Sequence, residues 1–187
     1  LMIEPVAFSY NQETGVDNGF QQETGSNAAA VAEIARREML NLRDMFTATG
    51  VQVTTFVGNK DCPDDVFPNN WISTTPDGAL FLYPMATPSR RRERREDITT
   101  FLKDRYDFVF DLSRIEKRGK SLEGTGVFVL DHVNKEAYVA RSRRTDDDLI
   151  QLWGRIADYE PVVFDTHDGN TGGPVYHTNV VCHIGTG

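Results

Sequence analysis

The chain has 187 residues, with 20 lysines and arginines against 28 aspartates and glutamates, a formal net charge of −8 and an isoelectric point near 5.0. That balance excludes a broad basic face for nucleic acid, so anion recognition has to be local. With 39% hydrophobic and 10% aromatic residues the chain can bury a core, and no apolar run reaches the roughly 18 residues of a membrane span.

The segment from Leu1 to Phe8 has no basic flank and is too short an apolar run for a secretory signal. Periodicity predicts a helix over 28–49, capped by Ser26 or Asn27, with Val31, Ile34, Ala35, Leu42, Met45 and Phe46 on one face and Gly50 as its stop. The β-branched run 51–57 reads as a buried strand. Residues 71–83 read as a hairpin around Pro76-Asp77-Gly78. A helix capped by Ser89 is expected up to Tyr106, with Ile98, Phe101, Leu102 and Tyr106 on one face, followed by a buried strand over 107–112.

Hairpin, helix and strand then return over 126–140, 146–159 and 161–164. A third hairpin is expected to begin at Val175–Ile184. Units of this length cannot bury their apolar faces alone, which points to units arranged around a shared axis. The expectation is a single α/β domain over 1–187, a propeller of about three units and the start of a fourth, with a single α+β sandwich as the alternative.

Polar residues gather at four places. Phe67-Pro68-Asn69-Asn70-Trp71 reads as a turn leading into a strand. Glu123 stands before a glycine-rich lead into an apolar strand, where a carboxylate could orient a histidine. With no helix after it, Gly124-Thr125-Gly126 makes a poor phosphate loop. His177 and Asn179, two apart on a strand, would share a face that Cys182 does not. Arg90, Arg91, Arg92, Arg94 and Arg95, and Arg141, Arg143 and Arg144, occupy matching places after the two hairpins, and one fork from each cluster could grip a carboxylate. His167, Asp168, His177 and His183 show no metal-ligand spacing, and Cys62 and Cys182 form no CxxC pair, which suits a reduced cytoplasmic protein.

FPNNW, YPMATPSRRRERRE, LEGTG, ARSRRT and VYHTN together resemble, in order, the strand-edge motifs of the guanidino-group-modifying (pentein) superfamily, fivefold α/β propellers that include arginine deiminases, dimethylarginine hydrolases and amidinotransferases. The nearest branch is that of amidinotransferase-like proteins regarded as citrulline-utilisation hydrolases. The resemblance implies a C–N hydrolase acting through a cysteine and a histidine without metal or cofactor. His177 would be the acid/base and Glu123 its supporting acid; Asn70 and Asn179 would contact the planar group, beside Phe67, and Arg90 and Arg144 would clamp a carboxylate, with Arg91 and Arg143 ranked second.

Three departures matter. Guanidine-processing relatives have Asp at the positions of Asn70 and Asn179; two amides suit a neutral ureido group, which favours citrulline over arginine. Gly126 stands where the deiminase EGGD pattern has Asp. The family's nucleophilic cysteine lies well after the histidine, and no residue here matches it, so the chain is expected to be an inactive N-terminal portion of a larger propeller. Amidino transfer to an amine uses the same residues. A non-catalytic propeller, or a module binding carboxylate-bearing metabolites, is the rival reading. The expected partner is a small amino-acid substrate, with neither nucleic acid nor membrane, and the protein can form a homo-oligomer through its open faces.

Overall fold

The structure is a computed structural model that describes residues 1–23, 27–169 and 172–185. Near the N-terminus, β1 (Met2–Glu4) pairs in parallel with β2 (Thr55–Val57). Between them lie a single helical turn, α1 (Gln12–Gly15), and the long helix α2 (Ala28–Ala48). Asn27 caps α2 by accepting from Ala29 N, while Ser26 lies outside the described residues. Only Met39 of this helix is buried; Ile34, Leu42, Met45 and Phe46 are exposed, contrary to the expected packed face. The predicted strand over 51–57 shrinks to its last three residues.

The next sheet follows from turn chemistry. β3 (Ile72–Thr74) and β4 (Ala79–Leu82) are antiparallel, and Gly78, at φ +86°, adopts the left-handed backbone that closes the turn with Gly78 N donating to Thr75 O. The helix expected from Ser89 to Tyr106 is broken in two, α3 (Pro88–Arg92) and α4 (Glu96–Lys103), because Arg90, Arg91 and Arg94 turn back onto Asn70, Met85 and Tyr83. Thr87, not Ser89, stands at the N-terminal boundary of α3. β5 (Phe108–Asp111) then joins β4 in parallel as an edge strand, with Phe108 and Val109 exposed where a buried strand was expected.

The same order recurs. After the short helix α5 (Gly124–Val127), β6 (Val129–Asp131) pairs antiparallel with β7 (Glu136–Ala140), helix α6 (Asp147–Ala157) follows, and β8 (Glu160–Phe164) lies parallel to β7. Asp146 caps α6 at Leu149 N, and Asp147 and Asp148 complement the positive end of its dipole. The strand expected over Val175–Ile184, the start of a third hairpin, does not form among the described residues: 178–180 is a 3-10 turn, held because Thr178 Oγ1 accepts from Ala140 N at 2.8 Å. The described residues thus form three separate small sheets in a mixed α/β fold.

Strand β4 links two cores, because alternate residues face opposite ways. Leu80 and Leu82 pack with Ile3, Trp71, Ile98 and Leu102, whereas Ala79 and Phe81, with the following Tyr83, pack with Phe128, Ile150 and Trp153. The Phe128 and Trp153 rings stack at 4.1 Å between centroids. Tyr83, fully buried, places its hydroxyl 2.6 Å from Ser73 Oγ and accepts from Trp153 Nε1 at 2.8 Å, tying the two hairpin units together. Substituting Tyr83→Phe leaves the Trp153 N–H buried without that partner, and should cost about 1–3 kcal/mol, read as a lower urea midpoint at unchanged slope.

Candidate active site

The site forms where three turns meet. Helix α5 packs against the 3-10 turn Pro68–Asn70 on one side and the Thr178–Val180 turn on the other. Two glycines permit this approach. At Gly124, φ +46°, a Cβ would sit 2.9 Å from Asn70 O; at Gly126 it would lie 2.8 Å from His177 Nδ1 and closer still to Asn70 Nδ2. The Asp of the EGGD pattern therefore has no room at Gly126. The glycine-rich stretch opens a helix rather than a strand, and Glu123 stands at its N-terminal boundary.

Glu123 is fully buried and is the hub of the site. Its Oε2 lies 2.8 Å from His177 Nε2, its Oε1 accepts from Ala86 N at 3.0 Å, and both oxygens accept from Arg144 Nη1 at 3.2 Å. Burial by itself would raise the Glu123 pKa, but the His177 bond and the Arg144 charge outweigh it and hold the carboxyl down at about 2. His177 is pushed below its ordinary value, chiefly by burial and further by Arg144 and Arg90, against the raising pull of Glu123. A neutral ring that donates Nε2–H to the Glu123 carboxylate keeps Nδ1 as its proton acceptor.

Each arginine expected to clamp a carboxylate is already engaged. Arg144, 1% exposed, donates from Nε and Nη2 to Asp17, from Nη1 to Glu123 and from Nη2 to Thr14 O. Arg90 donates from Nε to Glu93 at 2.6 Å and from Nη2 to Phe67 O and Asn70 Oδ1. Arg91 holds Met85 O and Ala86 O, and with Arg143 lines a different cavity.

Asn70, Asn179, Arg90, Arg144, His177 and Phe67 all border one cavity of about 330 Å³, with Glu123 directly behind His177. His177 and Asn179 reach it from an extended residue followed by a 3-10 turn, not from a common strand face. Asn179 Nδ2 donates to Thr125 O at 3.2 Å. Sequence reasoning missed Thr14, Asn18, Asp64 and Tyr176 in the lining, and Asp17 behind it. Asp64 is buried and its Oδ2 accepts from Asn11 and Thr14. Its place before FPNNW was the one available signal, since Thr14 and Asp17 come from a segment more than a hundred residues from Arg144. Neither cysteine lines the cavity: Cys62 is buried, with its thiol pushed up to about 11, and Cys182 packs back towards Thr178 O.

Residues 4–187 match the family model described as N,N dimethylarginine dimethylhydrolase, eukaryotic. No curated protein matches at a significant level. Among solved structures, the chain is similar to unliganded AgrE, with a TM-score of 0.71 and 18% identity, over 94% of this chain and 24% of that one. It is similar to the substrate-bound N-terminal domain of ArgZ, an arginine dihydrolase from the ornithine–ammonia cycle in cyanobacteria (0.65, 17% identity, 94% and 59% of the two chains). It is also similar to dimethylarginine dimethylaminohydrolase captured as an adduct with S-methyl-L-thiocitrulline (0.64, 14% identity, 89% and 60%). The chain thus spans about three fifths of the length of the last two. Likeness at these identities shows a shared fold.

The electrostatics of the hub set a pH dependence with a definite sign. Both Glu123 and His177 have depressed folded pKa values, so their contribution to stability is present at neutral pH and is lost on acidification, first below about 6.5 through His177 and then below about 4.5 through Glu123. Carbon-detected NMR titration should show the His177 imidazole protonating below 6.5. Glu123→Gln should lower that value further and cost about 3–5 kcal/mol, by leaving a buried cation with one carboxylate fewer.

Proposed function

The chain belongs to the N,N dimethylarginine dimethylhydrolase family, within the guanidino-group-modifying (pentein) superfamily, and from that premise we propose that it forms the substrate pocket of a C–N hydrolase acting on the planar end group of an amino acid, with citrulline preferred over arginine. The fold likeness to an arginine dihydrolase and to dimethylarginine dimethylaminohydrolase supports the reaction class. We read the repeated hairpin–helix–strand units as part of an α/β propeller, and we place the nucleophilic thiol outside these 187 residues. A cytoplasmic enzyme of reduced thiols is the setting we infer, and no helix among the described residues is long and apolar enough to cross a membrane.

The observation that carries the substrate reading is the polarity of the two amides. Asn70 Oδ1 is taken by Arg90 Nη2 at 3.0 Å, so its remaining group is the NH₂ donor. Asn179 Nδ2 is taken by Thr125 O, so its remaining group is the Oδ1 acceptor. A ureido group matches this pair, with its carbonyl oxygen towards Asn70 and its N–H towards Asn179 and the Asp64 carboxylate. A guanidinium has donors only and would leave the Asn70 NH₂ facing another donor. With Arg144 occupied by Asp17 and Glu123, Arg90 is the cation we assign to the substrate carboxylate, and Arg144 holds Glu123 in place.

In the reaction, His177 Nδ1 takes the thiol proton and the thiolate adds to the ureido carbon. The carbon–nitrogen bond breaks as the imidazolium returns the proton to the departing ammonia, leaving a thiocarbamate on sulfur. His177 then deprotonates water, the new carbon–oxygen bond forms, and the thiolate leaves. Throughout, Glu123 stabilises the transient imidazolium and fixes the ring.

In the protein that carries the nucleophile, His177→Ala should abolish ammonia release from citrulline while ligand affinity changes by less than about tenfold; retained turnover would overturn the assignment. Calorimetry on the chain should find citrulline bound more tightly than arginine, and Asn70→Asp with Asn179→Asp should reverse the order by about 10-fold to 100-fold, the worth of a charge-assisted hydrogen bond. Tighter binding of arginine by the unsubstituted chain would refute the citrulline preference.

A further inference from the structure

On the side of Arg90 away from Asn70, two carboxylates that the reaction does not use border a cavity of about 10 Å³. Asp65 and Glu93 are each 3% exposed. Asp65 Oδ2 accepts from Asn59 N at 2.6 Å, and Glu93 Oε1 accepts from Arg90 Nε at 2.6 Å. Their other oxygens, Asp65 Oδ1 and Glu93 Oε2, are buried and have no hydrogen-bond partner among the described residues. A native fold rarely leaves two such acceptors bare, and the space beside them matches the roughly 10–15 Å³ that one water molecule needs.

The charges around the pair favour a proton as well as a water. Arg90 touches it from α3, and Arg95, which also lines the cavity, directs its fork to Asp97 and Val57 O. Asp64 adds a further negative charge, while Cys62 and Arg92 flank it. Two full carboxylate charges across a gap of this size repel strongly in a buried setting. We propose that the cavity holds one water molecule and that Asp65 and Glu93 share a single proton through it, making them positioning residues for Arg90. The water donates to one bare oxygen and accepts from the protonated other, so both bare oxygens gain a partner. Burial, the largest influence on each, acts in the same direction: it lifts Asp65 to about 6 and Glu93 to about 8 despite the lowering pull of Arg90.

For the site the consequence is electrostatic. Arg90 is balanced by less than one full negative charge at Glu93, and its excess positive charge is available to the cavity where Asn70 sits. This last step rests on the proposed role of Arg90 toward a substrate carboxylate; the shared proton and the water do not.

The test uses the isostere of the protonated state. In Glu93→Gln the carboxamide oxygen still accepts from Arg90 and the NH₂ replaces the shared proton, so the melting temperature at pH 7 should stay within about 3 °C of the unsubstituted chain, while Glu93→Ala loses about 6 °C or more. Groups with raised folded pKa lose their contribution as pH rises, so the unsubstituted melting temperature should fall from pH 6.5 to 8.5, and Glu93→Gln should flatten that fall. Three results would each overturn the proposal: Glu93→Gln as damaging as Glu93→Ala, no pH dependence in that window, or stabilisation by sodium over choline, which would put a cation in the cavity. Weaker citrulline binding by Glu93→Gln, with the stability results as expected, would count against the role of Arg90 alone.

Discussion

Everything at the site depends on one buried carboxylate. Glu123 has no exposure to water, so its charge survives only because a backbone amide, an imidazole and a guanidinium surround it. Each of those partners comes from a different part of the chain: Ala86 follows the first hairpin, Arg144 follows the second, and His177 lies beyond the last strand. The carboxylate therefore ties the two repeated units together at the same time as it orients His177. A change that weakens Glu123 acts on folding and on the histidine alike, and the two effects separate only when ring titration and stability are measured on the same variant.

The arginines extend that constraint outward. Arg144 is not a free cation waiting for a ligand; it carries Glu123 on one side and Asp17 on the other, and so fastens the N-terminal segment to the centre of the molecule. Glu13 accepting from Ser89 N and Asn11 donating to Asp64 and Ser89 fasten the same segment at two further points. Arg90 is held the other way, through Glu93 behind it and Asn70 in front. A chain of net charge −8 thus keeps two guanidinium groups in its pocket wall by enclosing each with carboxylates, and the balance of those carboxylates decides how much positive charge a ligand meets.

Local chemistry made much of this legible from the sequence. Pro76-Asp77-Gly78 announces its turn, and the hairpin–helix–strand order appears where expected. The cavity also gathers residues singled out in advance, Asn70, Asn179, Arg90, Arg144 and His177 among them. What local pattern could not show was tertiary. The run Val175 to Ile184 has strand composition, yet the side chain of Thr178 captures Ala140 N and bends the backbone into a 3-10 turn. Asp17 and Arg144 are 127 positions apart, with no periodicity to connect them. The long helix α2 carries a convincing apolar stripe, but a stripe in sequence says only that a face wants cover.

The same limit applies to the two amides that border the cavity. Asn70 and Asn179 could each present either end of their side chain, so sequence alone leaves four combinations open. The partners resolve them: a guanidinium can only donate, so Asn70 turns its oxygen inward, and a carbonyl can only accept, so Asn179 turns its nitrogen to Thr125. The polarity of the pair thereby derives from Arg90 on one side and from a backbone oxygen on α5 on the other. Replacing Arg90 would release the Asn70 amide to flip, and the pair would lose its fixed polarity without the loss of either amide.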